Sequence, residues 1–376
     1  MHIVFLSHEY PLWSSGGIGS FLQTFGRALV ARGHNVSVVG AGKESEEVYL
    51  EDEGVRLYRL PKQQKGILPE FIHNAIHLNK KLQALHTREP IDIIESAELG
   101  LALLYASHPA RKVIRLHGGH HFFSEAENRG IHWRKDLLEK RSFRKADGFI
   151  AVSKYVQSHT ANYLSYHNKP VTVINHPVDI PNHLPSEIPV KKSLLFAGTI
   201  CEKKGVRQLI EAFTMVRKQY PDYRLDLFGR DWYYPNGDSY IARLRDTYDA
   251  SYFEQVTFHG SIPRDALNVR YAEATVCVFP SHMETQGLVT LEAMALEKPV
   301  IFSQYGPGPE TIEHGKTGLL CDVYDPNDIA AKILWCIEHP EAARALGQQA
   351  GKRVREHYHK NTILEENLSF YSSLIS

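Results

Sequence analysis

The sequence contains few cysteines, and they lie far apart. Only four occur in 376 residues, and no two of them form a C-x-x-C pair. Wide spacing of this kind is typical of buried free thiols in a reducing compartment. We therefore expect Cys201, Cys277, Cys321 and Cys336 to be buried thiols.

The chain also lacks an excess of charge. Its 43 basic residues balance its 43 acidic residues, so the formal net charge at pH 7 is zero. A general nucleic-acid binder depends on a strongly positive field, and this composition argues against that class.

Long apolar runs are absent as well. No run approaches the roughly 18 residues that suggest a membrane span. The first residues, MHIVFLSHEYPLWSS, have no basic start and reach His8 and Glu9 after a short apolar run, so we do not expect a signal peptide. With 43% hydrophobic and 23% charged residues, the composition is that of a globular protein. We expect a soluble cytoplasmic protein, with two or three domains on length alone.

Short apolar runs alternate with helical patterns from the first residues onward. A strand at 3–6 is followed by a glycine- and serine-rich loop at 14–19, and apolar residues then recur at helical spacing over 21–30. Gly33 stands where that helix would stop, and the next strand is predicted at 36–39. This is a βαβ unit, which predicts a parallel sheet with a right-handed crossover.

The alternation continues in two series separated by residues 180–189, which are rich in proline and polar residues and suit an interdomain linker. Two such halves predict an α/β fold with two Rossmann-like parallel-sheet domains facing a cleft, where ligands bind at the C-terminal ends of the strands. The further predicted strands are 91–94, 112–116, 148–152 and 171–174 in the first series, and 193–197, 224–228, 255–259, 275–279 and 299–302 in the second.

The segment 281–301, SHMETQGLVTLEAMALEKPVI, carries the strongest chemical signal. A strand ending near Pro280 runs into a loop that holds Glu284, a helix is predicted to open around Gly287, and Glu292 falls in its second turn. Backbone N–H groups at 287–289 would be free at the helix start, which favours an anion. The pattern suits a ligand with hydroxyls on both sides of a phosphate group, and equally two solvated glutamates flanking a helix.

The E-x7-E spacing with Gly287 inside resembles the donor-binding motif of retaining glycosyltransferases of family 4 (group 1), which have the GT-B fold. The resemblance implies two domains, 1–182 on the acceptor side and 190–356 on the donor side, with a C-terminal helix at 358–376 packing back on the first. It extends over LHG at 116–118, ADGFIAVS at 146–153, VINHPVD at 173–179, FAGTICEKKGV at 196–206, LFG at 227–229, FHGSIP at 258–263 and GPGPETIEHGKTGLL at 306–320.

The resemblance also implies roles for individual residues around a nucleotide-sugar donor. Glu292 should bind the ribose hydroxyls, Glu284 should contact the donor sugar, and Gly16 and Gly17 should cover the diphosphate. The family usually has Gly-Phe where this chain has Thr285 and Gln286, whose side chains can add hydrogen bonds to the sugar, so the resemblance implies use of a donor without identifying its sugar. The remaining donor residues implied are Thr285, Gln286 and Gly287 at the sugar, Leu288 and Val289 at the diphosphate, and Ile262 near the base.

Two lysines follow the strand predicted at 193–197. A lysine there can neutralise the charge that grows on a departing diphosphate without a metal. Lys204 precedes a glycine and matches the family's position, whereas Lys203 is expected to be solvated. Thr199 stands where the family usually has an arginine; it can donate a hydrogen bond but no charge, and Arg230 is the nearest candidate cation in sequence to compensate.

The 21 histidines make chance patterns common. His117 follows a predicted strand and matches the family's histidine at the donor sugar, and His120 and His121 could line the acceptor side. His73 and His77 have metal-ligand spacing on a helix, but without an evident third ligand we interpret them as surface residues. We expect no metal site.

Residues 132–147 interleave apolar and basic side chains on a predicted helix. This pattern suits a solvated basic face, and alternatively docking at the inner face of an anionic membrane that carries a lipid-linked acceptor.

The resemblance implies a metal-independent hexosyltransferase that moves a sugar to an acceptor hydroxyl in polysaccharide or glycoconjugate assembly. UDP is the donor nucleotide that the family suggests. A front-face reaction is expected, in which the departing phosphate takes the acceptor proton while Lys204 stabilises its charge. No cofactor is expected beyond the substrate nucleotide sugar, and the acceptor is a carbohydrate or a lipid-linked one. The alternatives are a GT-B nucleotide-sugar epimerase and a non-catalytic nucleotide-sugar binding protein, the latter favoured by Thr199.

Overall fold

The computed structural model describes residues 1–13, 16–61, 69–126, 130–180 and 188–376. They form two compact units, one of residues 1–177 together with 360–376 and one of residues 178–359. The chain therefore passes between units at 177 and 178, whereas the sequence predicted domain limits at 182 and 190. Most of the predicted linker and part of the predicted glycine loop, Ser14 and Ser15, lie outside the described residues.

The first unit is built on an eight-stranded sheet of order β3-β4-β2-β1-β5-β6-β7-β8. Its strands are β1 His2–Leu6, β2 Asn35–Ala41, β3 Val48–Asp52, β4 Val55–Leu60, β5 Ile93–Ser96, β6 Arg111–Leu116, β7 Gly148–Ala151 and β8 Val171–Val173. Its helices are α1 Gly17–Ala31, α2 Glu70–Arg88, α3 His120–Ala126, α4 Trp133–Lys145, α5 Lys154–Ala161 and the C-terminal α13 Lys360–Ile375.

The second unit has a six-stranded sheet of order β11-β10-β9-β12-β13-β14. Its strands are β9 Ser193–Ala197, β10 Arg224–Phe228, β11 Val256–Gly260, β12 Val276–Phe279, β13 Val300–Ser303 and β14 Leu319–Cys321. Its helices are α6 Val206–Gln219, α7 Tyr240–Thr247, α8 Arg264–Glu273, α9 Leu288–Ala295, α10 Gly308–Thr311, α11 Pro326–Glu338 and α12 Pro340–His357, with 3-10 turns at Glu202–Lys204 and Ala250–Phe253.

The prediction of two α/β halves with parallel sheets is confirmed, with one exception. Strand β3 pairs antiparallel with β4, and all other ladders are parallel. Neither β3, β4 nor β14 was predicted. Strand β3 lies at the sheet edge with Tyr49 and Leu50 exposed, so it has no buried apolar run to reveal it.

Helix α1 shows why the apolar spacing in the first forty residues was informative. Phe21, Phe25 and Leu29 are buried against the sheet, as expected for a stripe at helical spacing. Helix α13 packs against α1 in the same unit, where it buries Leu364 and Tyr371. The prediction of four buried free cysteines is confirmed. Among the described helices, none combines the length and apolar character needed to cross a bilayer.

Candidate functional site

In the second unit, the loops that follow β9 and β12 are joined at the carboxyl end of the sheet. The His282 N–H donates to the Lys203 carbonyl at 2.9 Å. Gly205 has φ +69°, and a Cβ atom there would lie 1.9 Å from the Pro280 carbonyl oxygen. Only glycine permits this approach, and it brings the K-G turn and the motif that begins at Ser281 together.

This contact places two of the predicted catalytic residues side by side. The Lys204 Nζ contacts Oε1 of Glu284, and Ser281 Oγ donates to the same oxygen at 3.1 Å. Both charged side chains are mostly buried, so the attraction is screened less than at an open surface. The pair presents a cation and a carboxylate at the ligand-binding edge of a parallel sheet.

The predicted start of the next helix is confirmed within one residue, since α9 begins at Leu288. Gly287 precedes it with φ +83°, and a Cβ atom there would lie 2.6 Å from the ring of Phe302. The Gln286 side chain is buried, and the backbone carbonyl of Gln286 accepts a hydrogen bond from Thr311 Oγ1 at 3.4 Å. The first-turn N–H groups, those of Leu288 and Val289 among them, have no acceptor within the helix, and groups of this kind favour an anion.

Glu292 lies on α9 and faces a residue that the sequence analysis missed. Arg264 Nη2, at the start of α8, is 3.2 Å from Glu292 Oε1. Burial raises the pKa of the Glu292 carboxyl, the charge of Arg264 lowers it, and the charge of Asp179 raises it. Arg264 directly follows the FHGSIP motif, but nothing in its spacing singled it out.

Thr199 and Arg230 follow the adjacent strands β9 and β10, and the backbones there are hydrogen-bonded to each other. The Ile200 N–H donates to the Arg230 carbonyl at 2.9 Å, which extends the β9–β10 ladder past both strands. Gly229 makes this pairing close, because a Cβ atom there would lie 1.8 Å from the Gly198 carbonyl oxygen. The Arg230 side chain is exposed, Thr199 is half-buried, and Ile262 packs half-buried against the core of this unit.

In the first unit, His117 directly follows β6. Its ring stacks on His176 with centroids 5.0 Å apart and lies 5.8 Å from the ring of Phe21. Burial and the nearby charge of Arg115 together lower the pKa of His117 to about 3, so the imidazole is neutral at physiological pH. His176 lies in the VINHPVD segment that carried the family resemblance, but it was not singled out.

The two following histidines are held by other side chains. His121 is buried, with Nδ1 against Glu139 and Nε2 2.9 Å from Asp136 Oδ1. His120 is half-buried, and its Nε2 accepts from the His132 N–H at 2.8 Å.

His73 and His77 lie one turn apart on the same helix. Their rings lie 4.2 Å apart on α2, and both side chains are half-buried. Within the described ranges, no group of three or more histidine, cysteine, aspartate or glutamate residues could hold a metal ion.

A carboxylate that the sequence analysis also missed, that of Glu9, lies against the glycine loop. Glu9 Oε2 accepts from the Gly19 N–H at 3.4 Å, and a Cβ atom on Gly16 would lie 2.1 Å from the same oxygen. Gly17 has open space where its Cβ atom would be. A negative group therefore lies at the amino end of α1, the end that attracts anions.

Helix α4 confirms part of the amphipathic pattern. Trp133 and Leu137 are 66% and 55% exposed, one turn apart, while Phe143 is in the core. Two of its cations serve the fold, since Arg141 and Lys145 donate to the Ala102 carbonyl at 2.8 and 2.9 Å.

Comparisons with known proteins find family matches in both units. The model of the family "Glycosyl transferases group 1" matches residues 185–353, and that of "Glycosyltransferase Family 4" matches residues 15–181. The chain is 25% identical to a glycogen synthase of Mycobacterium tuberculosis, over 99% of this chain and 94% of that one.

Two solved structures share the fold. A sucrose-phosphate synthase from Thermosynechococcus elongatus superposes with a TM-score of 0.84 at 23% identity, covering 100% of this chain and 99% of that one. HepE of Anabaena, solved in complex with UDP and glucose, superposes with a TM-score of 0.79 at 20% identity, covering 99% and 100%.

Proposed function

The chain belongs to glycosyltransferase family 4 and is a GT-B glycosyltransferase, and we propose that it moves a sugar from a UDP-sugar to an acceptor hydroxyl with retention at the anomeric carbon. The observation that carries this proposal is the contact of Lys204 with Glu284 beside the amino end of α9. A cation, a carboxylate and free backbone N–H groups within one edge of a sheet suit a diphosphate that bears a sugar.

In the proposed reaction, Lys204 and the first turn of α9 stabilise the charge that develops on the leaving diphosphate. A lysine ammonium has three donors, so Lys204 can hold Glu284 and a phosphate oxygen together. The departing phosphate accepts the acceptor proton on the same face of the sugar. Glu284 positions the sugar throughout the reaction. The other proposed contacts are Thr285, Gln286 and Gly287 to the sugar and Leu288 and Val289 to the diphosphate.

Outside this segment, we assign Glu292 to the ribose and Ile262 to the vicinity of the base. His117 orients the donor sugar. Because its pKa lies near 3, it acts as a neutral hydrogen-bonding group and not as a general acid. Gly16 and Gly17 cover the diphosphate through their backbone.

Arg230 supplies the charge that Thr199 lacks. The backbone bond between Ile200 and Arg230 supports this assignment, because it keeps the arginine next to Thr199 at the end of adjacent strands. With Lys204, Arg230 and the helix N–H groups available, the diphosphate is neutralised by the protein and the reaction needs no metal.

The UDP preference is supported by the shared fold with HepE, which was solved with UDP and glucose. The acceptor belongs to polysaccharide or glycoconjugate assembly. His120 remains a candidate on the acceptor side, and His121 contributes there by fixing the local backbone. A lipid-linked acceptor would meet the protein through α4, whose exposed Trp133 and Leu137 lie among cations.

A thermal-shift screen with UDP, GDP and ADP and their sugars, each with and without EDTA, tests donor binding. A ligand that binds the native state raises the unfolding midpoint according to its concentration relative to Kd. We expect UDP compounds to give the largest shift, unchanged by EDTA. No shift at millimolar concentrations of any nucleotide would contradict the donor site, and binding without turnover would favour the non-catalytic alternative that Thr199 suggests.

A further inference from the structure

Two buried carboxylates hold the backbone that carries His117. Glu98, which follows β5 and is 4% exposed, accepts from the Gly118 N–H at 2.8 Å. Glu139, on α4 and 0% exposed, accepts from the His120 N–H at 2.5 Å. The segment 117–121 therefore takes its path from side chains of two other elements.

Gly119 shows how closely the two carboxylates approach this segment. A Cβ atom there would lie 2.3 Å from Glu139 Oε1 and 2.9 Å from Glu98 Cγ. Glycine is required at this position because the carboxylates occupy the space that a side chain would need. Glycine is therefore favoured at the two positions after His117 for different reasons. Gly118 has φ +91°, and Gly119 has no room for a side chain.

Glu98 and Glu139 differ in the charged groups around them. Glu139 contacts Nδ1 of His121, whose Nε2 meets Asp136, but no lysine or arginine within the described residues forms an ion pair with Glu98. Burial and, to a lesser extent, the charge of Glu139 raise the pKa of Glu98 to about 8, although hydrogen bonds from backbone N–H groups oppose this rise. Tyr166, from the segment after α5, is a further titratable group near Glu98: burial raises the pKa of its phenol, and the charge of Glu98 acts in the same direction.

We propose that Glu98 and Glu139 are positioning residues, which fix residues 117–121 so that His117 meets the donor sugar. The role of His117 rests on the proposed function, whereas the fixing of residues 117–121 by Glu98 and Glu139 does not. Glu98 is protonated at neutral pH and ionises as the pH rises through about 8, which adds a second buried negative charge beside Glu139. The segment is expected to loosen as this charge appears.

Amide hydrogen exchange over residues 116–124 tests the hold without any enzyme assay. Wild type is compared with Glu98→Ala, Glu98→Gln and Glu139→Gln, and with Glu46→Gln as an exposed-glutamate control. Glu98→Ala should lower protection at least tenfold at pH 7, whereas Glu98→Gln, which keeps an acceptor oxygen, should retain it. Because the pKa of Glu98 is raised from 4.5 to about 8, wild-type protection should fall as the pH rises between these two values and level off above 8, and that of Glu98→Gln should not change over this range.

Activity provides the second readout. In wild type, kcat should fall as the pH rises through about 8, and Glu98→Gln should remove that fall while its kcat at pH 7 stays within about threefold of wild type. Glu98→Ala should lose about tenfold or more in kcat, because small misplacements of a contacting group are costly. The inference is overturned if Glu98→Ala keeps wild-type protection, or if Glu98→Gln keeps the fall in protection as the pH rises towards about 8. Should Glu98→Ala fail to fold, the comparison of wild type with Glu98→Gln still decides. Absence of glycosyl transfer would refute the proposed function. The hydrogen-exchange result would still test whether Glu98 and Glu139 fix residues 117–121.

Discussion

Lys204 and Glu284 are 80 positions apart in sequence, yet the ammonium of one contacts the carboxylate of the other. The pair exists because the loops after β9 and β12 lie against each other at Gly205 and Pro280. Ion pairing holds both groups in place before substrate arrives, which is the arrangement that electrostatic stabilisation of a leaving group needs.

Removing either member of this pair should abolish most turnover. Lys204→Ala and Glu284→Ala are each expected to lower kcat by about 10²- to 10³-fold, the range seen when one preorganised charge-stabilising group is lost. Lys203→Ala, one position away, is the matched control and should stay within about threefold of wild type. Steady-state kinetics with the best donor measure all three, and equal small effects would remove the proposed site.

Arg264 should set the pH dependence of donor binding through Glu292. Burial already raises the pKa of this carboxyl, and the arginine opposes that shift, so Arg264→Ala should raise the pKa further. Since the ionised carboxylate is the stronger acceptor for ribose hydroxyls, donor affinity in the variant should begin to fall at a higher pH than in wild type as the solution is acidified. Titration of the donor at several pH values measures this, and identical profiles would contradict the coupling.

Gly205 should be among the least replaceable glycines. Gly205→Ala combines a left-handed backbone with a Cβ atom 1.9 Å from a carbonyl oxygen, and we expect a loss of about 3 kcal/mol or more in the free energy of unfolding. Gly237 has φ +89° but open space around its Cβ position, so Gly237→Ala should cost only about 1 kcal/mol. Urea unfolding separates the two effects, and equal losses would show that the close approach to Pro280 matters little.

Arg230 should compensate for Thr199. Arg230→Ala is expected to reduce kcat by about tenfold or more through weaker stabilisation of the leaving diphosphate. Arg344→Ala removes an exposed arginine on α12 and serves as the control. Unchanged turnover in Arg230→Ala would assign the missing charge elsewhere.

Helix α4 should bind anionic membranes if the acceptor is lipid-linked. Wild type is expected to float with anionic liposomes at physiological salt, and the double variant Trp133→Ser/Leu137→Ser should float markedly less. Val190→Ser, which alters an exposed residue of the second unit, should behave as wild type. Failure of the wild-type protein to float would favour the solvated basic face.

The sequence revealed the parallel core of each unit because buried strands are short apolar runs with helical patterns between them. It did not reveal β3, whose residues are mostly exposed at the sheet edge, or the antiparallel pairing it makes. Propensity carries little information about an edge strand that is not buried, so this part of the sheet had to be observed.

In the candidate site, too, some residues are visible in the sequence pattern and others only in the folded structure. Glu284, Lys204 and Gly287 could be identified because their spacing and their match to a family motif are visible in one dimension. Glu9, Glu98 and Arg264 could not, since none belongs to a recognisable spacing and each contacts its partner only through the tertiary fold. Their roles come from burial and from contacts made by folding.

The most direct test of the account follows a UDP-sugar by proton NMR in the presence of the enzyme, with and without EDTA. We predict release of UDP and transfer of the sugar to an added acceptor, or slowly to water, with its anomeric configuration retained in the first product, no effect of EDTA, and loss of the reaction in Lys204→Ala. An inverted anomer would contradict retention, and an isomerised donor with no UDP released would identify an epimerase. No consumption of any UDP-, GDP- or ADP-sugar would contradict the central claim.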